Sequence, residues 1–206
     1  MRYRLLIFDF DGTLADSFPA FQVVFQEAIA RFGLRPVGED ELPTLRGQSA
    51  REVIRYLGLP MWKVPRVGKY VREAMAAHPV PLFAGMEEVL RQLASRGVQL
   101  AVVSSNSEAN VRAVLGPELA GLFATFDCGA SLFGKASKFR RVLKQTGRAP
   151  REVLTIGDEL RDAEAAQAAG LDFGAVSWGY TALAGLERSK PAVVFREPSE
   201  LLDLLR

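Results

Sequence analysis

Apolar residues follow two different rhythms along this chain, and the change of rhythm divides it. From residue 15 to residue 81 they recur every three or four positions, the period of helices buried on one face. Phe18, Phe21, Phe25, Ala28 and Phe32 make one such stripe. Asp16 or Ser17 can cap it, Pro19 sits in its first turn, and Gly33 ends it. Leu42 to Gln48 reads as a loop, and Ser49-Ala50-Arg51-Glu52 is a capping box ahead of Val53, Ile54 and Leu57. A third helix is expected from about Pro65 through Ala77, after which His78-Pro79-Val80-Pro81 returns in extended form. No strand pattern interrupts this stretch.

On either side of it the rhythm becomes short, unbroken apolar runs alternating with helical periods. The runs are Leu5–Phe8, Val98–Val103, a weaker one near Phe126–Gly129, Val153–Ile156, Phe173–Val176 and Ala192–Phe195. Helices are expected over Gly85–Arg96, from Ser107 to about Leu115, from the residues after Gly134 to Gly147, over Ala163–Ala169 and over Ser199–Leu205. Continuous apolar strands joined by helices predict a parallel sheet covered on both faces. The fold class is therefore α/β: a doubly wound, Rossmann-like sheet built from residues 1–14 and 82–206, with an all-α insertion at 15–81.

Composition adds mainly exclusions. Of 206 residues, 49% are hydrophobic and 24% charged, the balance of a folded protein. A net charge of +2, with the basic residues scattered, argues against nucleic acid as a partner. One cysteine, Cys128 in an apolar-leaning stretch, excludes an internal disulfide and suits a reducing compartment. No run approaches the ~20 apolar residues of a membrane span. Cytoplasm is the expected location, without membrane association, as a monomer or homodimer.

The chemistry collects where strands end, as it does at the carboxyl edge of doubly wound sheets. Asp9 and Asp11 follow the first apolar run at i and i+2, so both carboxylates face one side. Gly12 lets the chain turn, and Thr13 adds a hydroxyl. Acids crowded this way need a proton or a cation, and Mg2+ suits an all-oxygen set that also admits a phosphate. Ser104 and Ser105 follow the second long run, where a hydroxyl and backbone N–H groups at a helix start can bind an anion. Lys135 and Lys138 flank the start of a later helix. Lys135 is expected in the preceding loop, leaning into the site, and Lys138 on a solvated helix face. Asp158 and Asp162 follow the fourth run, one helical turn apart.

Asp9-Phe10-Asp11-Gly12-Thr13-Leu14, with Gly157-Asp158 and Asp162, resembles the signatures of the haloacid dehalogenase superfamily, in its phosphoglycolate-phosphatase-like branch. The resemblance implies a Mg2+-dependent phosphatase for small phosphomonoesters, with 2-phosphoglycolate as the first substrate. It makes Asp9 the nucleophile that becomes an aspartyl-phosphate and Asp11 the general acid and base. Mg2+ would be held by Asp9, the Asp11 carbonyl and Asp158, with Asp162 behind them. Ser104 and Ser105 would meet the phosphate, and Lys135 would neutralise charge. The family's usual Lys-Pro pair is missing, so Lys138 stays open as the lysine. Glu159 stands where the family often carries Ser, which leaves a minor ligand role. The insertion resembles the small family cap, in which Arg46, Gln48 and Arg51 either meet an anionic substrate or are plain surface residues. The alternatives to a phosphatase are a sugar-phosphate mutase of the same family, a phospho-ligand sensor and a scaffold protein. His78 receives no catalytic role, and Trp178-Gly179-Tyr180 reads as rim loop or packing.

Overall fold

The computed structural model of the protein describes residues 2–38, 40–129 and 134–206. Among them, six strands form one wholly parallel sheet. They are β1 (Leu5–Phe8), β2 (Gln99–Val103), β3 (Phe123–Asp127), β4 (Val153–Gly157), β5 (Asp172–Val176) and β6 (Val193–Phe195). Their spatial order is β3-β2-β1-β4-β5-β6. β1 sits between β2 and β4, with Phe8 opposite both Val102 and Ile156. This register lets the three strands end together, so the polar residues that follow them converge.

The apolar runs are unbroken because both faces of the sheet are covered. Alternate residues of β1 serve opposite faces. Leu6 and Phe8 join Leu100, Val102 and Leu154 beneath α5 (Met86–Ser95) and α6 (Glu108–Ala120). Leu5 and Ile7 join Ala101 and Val103 beneath Phe139 and Val142 of α7 (Gly134–Thr146) and Ala166 of α8 (Leu160–Ala169). The small residues of α8 let it lie close to the sheet.

Between β1 and α5 the chain forms α1 (Phe18–Phe32), α2 (Leu42–Leu45), α3 (Ala50–Tyr56) and α4 (Val64–Met75). These helices gather their own apolar cluster around Ile29, Val37, Leu45, Leu57, Leu59 and Val67. The chain enters and leaves this helical segment side by side. Asp16 N–H donates to Pro81 O at 2.8 Å, and Phe83 N–H to Leu14 O at 3.0 Å. No described helix is long and apolar enough to cross a membrane.

Several elements differ from the sequence expectation. The stretch read as a loop contains α2, a single turn too short to show a period. The helix expected to end near Leu115 is interrupted at Gly116, whose φ of 70° breaks the winding ahead of Pro117, and resumes to Ala120. α9 (Leu183–Glu187) was not expected, since five residues carry almost no periodic signal. The terminal turn, Pro198–Leu205, is a 3₁₀ helix, which its run of leucines could not distinguish from an α-helix. α7 already includes Gly134, which places Lys135 in its first turn and not in a loop.

Candidate active site

Asp9 is fixed where β1 runs out. Its N–H continues the ladder by donating to Ile156 O at 2.8 Å. Its buried side chain accepts from Phe10 N–H at 2.7 Å through Oδ1. Its Oδ2 stands 2.6 Å from Lys135 Nζ in ion-pair contact, yet no donor among the described residues is aimed along a hydrogen bond to it. Burial pushes the carboxyl of Asp9 up to about 7, against the pull of Lys135. Asp11 accepts from Asn106 Nδ2 at 3.1 Å. Burial raises its pKa as well, partly offset by bonds from Asn106 and Ser17.

Asp158 is fully enclosed at the end of β4. Thr13 Oγ1 donates to its Oδ1 at 2.7 Å, and the N–H of Tyr180 donates to its Oδ2 at 2.8 Å. Burial holds its pKa well above the usual carboxylate range, reinforced by the charges of Glu159, Asp9 and Asp162. Asp162, in the first turn of α8, accepts from Glu159 N–H at 3.1 Å and from Lys135 Nζ at 2.5 Å. Burial works against the Lys135 ammonium, but Asp162 and Asp9 outweigh it and keep the proton on. Two glycines make room for this packing. A Cβ on Gly12, whose φ is +76°, would sit 2.3 Å from Asp158 Oδ2, and one on Gly157 would sit 2.4 Å from Asp162 Oδ2.

Asp9, Asp158 and Asp162 thus offer three buried carboxylate oxygens within 4.8 Å of one another. The set is all oxygen, it outnumbers the lysine beside it, and one of its oxygens lacks a hydrogen bond. These are conditions that a hard divalent cation relieves. Asp162 stands inside the trio, although one of its oxygens is taken by Lys135 and the other by a backbone N–H. The Asp11 side chain lies outside it, so any share of Asp11 in a metal site would fall to its carbonyl.

Ser104 is buried at the end of β2 and accepts from Asn106 N–H at 3.0 Å. It is not needed to cap α6, because Ser107 Oγ already accepts from Asn110 N–H at 3.2 Å. Ser105 is exposed beside it. Lys138 departs from its expected solvated position. It is buried, and its ammonium donates to the carbonyls of Ser104, Asp127 and Gly129 at 2.7, 3.0 and 2.6 Å. It ties the ends of β2 and β3 together and has few donors to spare. A recess of about 410 Å³, bordered by Ser104, Ser105, Lys135, Lys138 and Arg161, opens beside this point.

The loop after β5, read as rim or packing, wraps the Asp158 carboxylate. Trp178 Nε1 donates to Thr13 O at 3.1 Å, and Tyr180 OH meets Ser17 Oγ at 2.9 Å. A Cβ on Gly179 would lie 2.2 Å from Asp158 Cβ. Arg46 reaches over from the helical segment to the same loop. Its guanidinium donates to Tyr180 O at 2.9 Å and to Gly179 O at 2.6 Å, and it lies 4.6 Å from the centre of the Phe18 ring. To the two readings left open for Arg46 the structure adds a third role, since its Nε and Nη2 donate to backbone carbonyls of this loop. Gln48 lines a cavity within the helical segment, and Arg51 is exposed at the start of α3. Arg161, which sequence reasoning passed over, pairs with Glu159 at 2.5 Å. Its only signal was its place between two acids.

A model of the haloacid dehalogenase-like hydrolases matches residues 6–176. Phosphoglycolate phosphatase of Synechococcus elongatus is 34% identical over 202 residues, spanning 97% of this chain and 95% of that protein. Tyrosine-protein kinase PtkA of Mycobacterium tuberculosis is 31% identical over 208 residues, spanning 93% of this chain and 68% of that protein. In fold, the chain superposes on a haloacid dehalogenase-like family hydrolase from Streptococcus pneumoniae with a TM-score of 0.83 at 20% identity, covering 99% of each chain.

Proposed function

Since the chain belongs to the haloacid dehalogenase-like hydrolase family, we propose that this phosphoric monoester hydrolase works through an aspartyl-phosphate on Asp9 and requires Mg2+. The observation that carries the reading is the enclosed Asp9 carboxylate, one oxygen without a hydrogen bond, held against Lys135 and two residues from a second carboxyl. An Asp9 oxygen attacks phosphorus in line with the ester oxygen. As the P–O bond breaks, Asp11 gives its proton to the departing alcohol, a role helped by the raised pKa that burial imposes. Asp11 then takes a proton from water, which attacks the acyl-phosphate, releases inorganic phosphate and restores Asp9. Lys135 neutralises charge on the phosphoryl oxygens, and Ser104 and Ser105, which border the same recess, offer them hydrogen-bond donors. Asp9, Asp158 and the Asp11 carbonyl would hold Mg2+, with Asp162 fixing Lys135 behind them. The metal would supply charge neutralisation where the transferred group gathers negative charge.

The helical segment at 15–81 serves in this reading as a cap over a core of 1–14 and 82–206, which its separate apolar cluster supports. 2-Phosphoglycolate is the first substrate to assay, because the relative of that name spans nearly the whole chain. Phosphate release from a panel of esters, with Mg2+ and with chelator and without added nucleotide, tests the reading. Release is expected only with Mg2+, and Asp9→Asn should lower it at least about 10³-fold while keeping the fold. Wild-type turnover in that variant would overturn the nucleophile. Transfer of phosphate to another hydroxyl of the same compound would indicate a mutase instead.

A further inference from the structure

The helical segment contains a cavity of about 430 Å³ among α1, α3 and α4 that the chemistry at the sheet edge leaves unused. Phe21, Phe25, Ile29, Val53, Ile54 and Val71 supply much of its wall. At the core end the wall changes to Glu159, Arg161 and Tyr180. Glu159 follows Asp158, Arg161 precedes Asp162, and Tyr180 holds Asp158 through its N–H. Arg161 also borders the recess beside Ser104 and Lys135, so the cavity and that recess share a residue of their walls.

Its apolar walls are under-filled. Phe25, Val53, Ile54 and Val71 pack against the helical cluster without being enclosed by it. α3 buries none of its residues fully, although its start is secured by a capping box. Protein interiors are close-packed, and apolar walls left without partners lose contacts that a ligand of matching shape would restore. The volume falls in the range of small-molecule pockets and is larger than a glycolate group requires. Of the two arginines in its wall, Arg46 donates to two backbone carbonyls and Arg161 pairs with Glu159.

We propose that this cavity receives the alcohol portion of the substrate, and that this portion carries an apolar body such as an aromatic ring or a branched alkyl chain. The proposal rests on the phosphatase reading and widens its substrate class beyond 2-phosphoglycolate.

Two measurements on the Mg2+-loaded protein test it separately from that reading. Calorimetric binding of benzylphosphonate and methylphosphonate, which cannot be hydrolysed, reports on the cavity without turnover. The benzyl compound should bind on the order of 10–100-fold more tightly, as expected from burying one ring. Benzyl phosphate should exceed methyl phosphate in kcat/KM by a similar factor. Ile54→Trp and Val71→Phe, checked by thermal melting, place bulk in the cavity and should bring both ratios close to one. Equal binding of the two phosphonates by the wild type overturns the cavity while turnover of 2-phosphoglycolate leaves the phosphatase standing. Conversely, tight benzylphosphonate binding lost in Ile54→Trp, with no ester hydrolysed, upholds the cavity and removes the phosphatase.

Discussion

Lys135 and Lys138 sit one helical turn apart, and their surroundings give them different work. Lys135 lies between Asp9 and Asp162, at 2.6 and 2.5 Å, so its charge is placed where a phosphoryl group would add more negative charge. Lys138 is wound into three carbonyls and lies 3.8 Å from the Asp127 carboxylate. Lys135→Ala should therefore lower kcat at least about 10²-fold, as removal of a transition-state charge partner does. Lys138→Ala should instead cost roughly 2–4 kcal/mol of stability, since it strands three carbonyls. Its kcat per folded molecule should fall much less. Steady-state kinetics and denaturant unfolding of the two variants side by side decide the matter, and the larger kcat loss at Lys138 would reverse the assignment. The single thiol, Cys128, takes no part in this. Burial pushes it up to about 11, which leaves it protonated and poorly nucleophilic at neutral pH.

Among the elements, the loop from Trp178 to Thr181 has the most consequence for its length. Its backbone grips Asp158, and its carbonyls hold Arg46 of the helical segment. Gly179→Ala would force a methyl group to 2.2 Å from Asp158 Cβ, so the loop or the carboxylate must move. Mg2+ affinity measured by calorimetry should fall about 10-fold or more, by displacement of a residue that orients a ligand. An unchanged affinity would mean that Asp158 is not a ligand. None of this loop's role was legible in the sequence, whereas the strands, the acids at their ends and the helices that follow β1 were. The difference is one of range. Periods of two and three to four, and an Asp placed just after a buried run, are local patterns. The partnership of Thr13, Asp158 and Tyr180, or of Arg46 with Gly179, depends on residues far apart in sequence that only the sheet order brings together. Lys138 was misread for the same reason. A lysine in a helix start looks solvated until β2 and β3 are placed beside it.

For the molecule as a whole, the crowded carboxylates make stability depend on pH and, under the proposed mechanism, on Mg2+. Burial raises the pKa of Asp9, Asp11, Asp158 and Glu159 together. Between about pH 4, where free carboxyls lose their protons, and about 7 for Asp9, the folded chain holds protons that the unfolded chain has released. This contribution is complete below the lower value and is lost as pH rises through the upper one. In chelator, the wild-type Tm should fall from pH 5 to pH 8 relative to Asp9→Asn, and Mg2+ should raise it more at pH 8 than at pH 5. Equal Mg2+ stabilisation at both pH values would exclude a metal bound by ionised carboxylates. The paired crossings at Asp16–Pro81 and Leu14–Phe83 reach further still. Because departure and return are neighbours on one ladder, everything between them is a detour that a tight turn could replace. A shortened chain joining Leu14 to Phe83 would still contain all six strands, so circular dichroism of that chain would report how far the sheet holds its shape without the helices between.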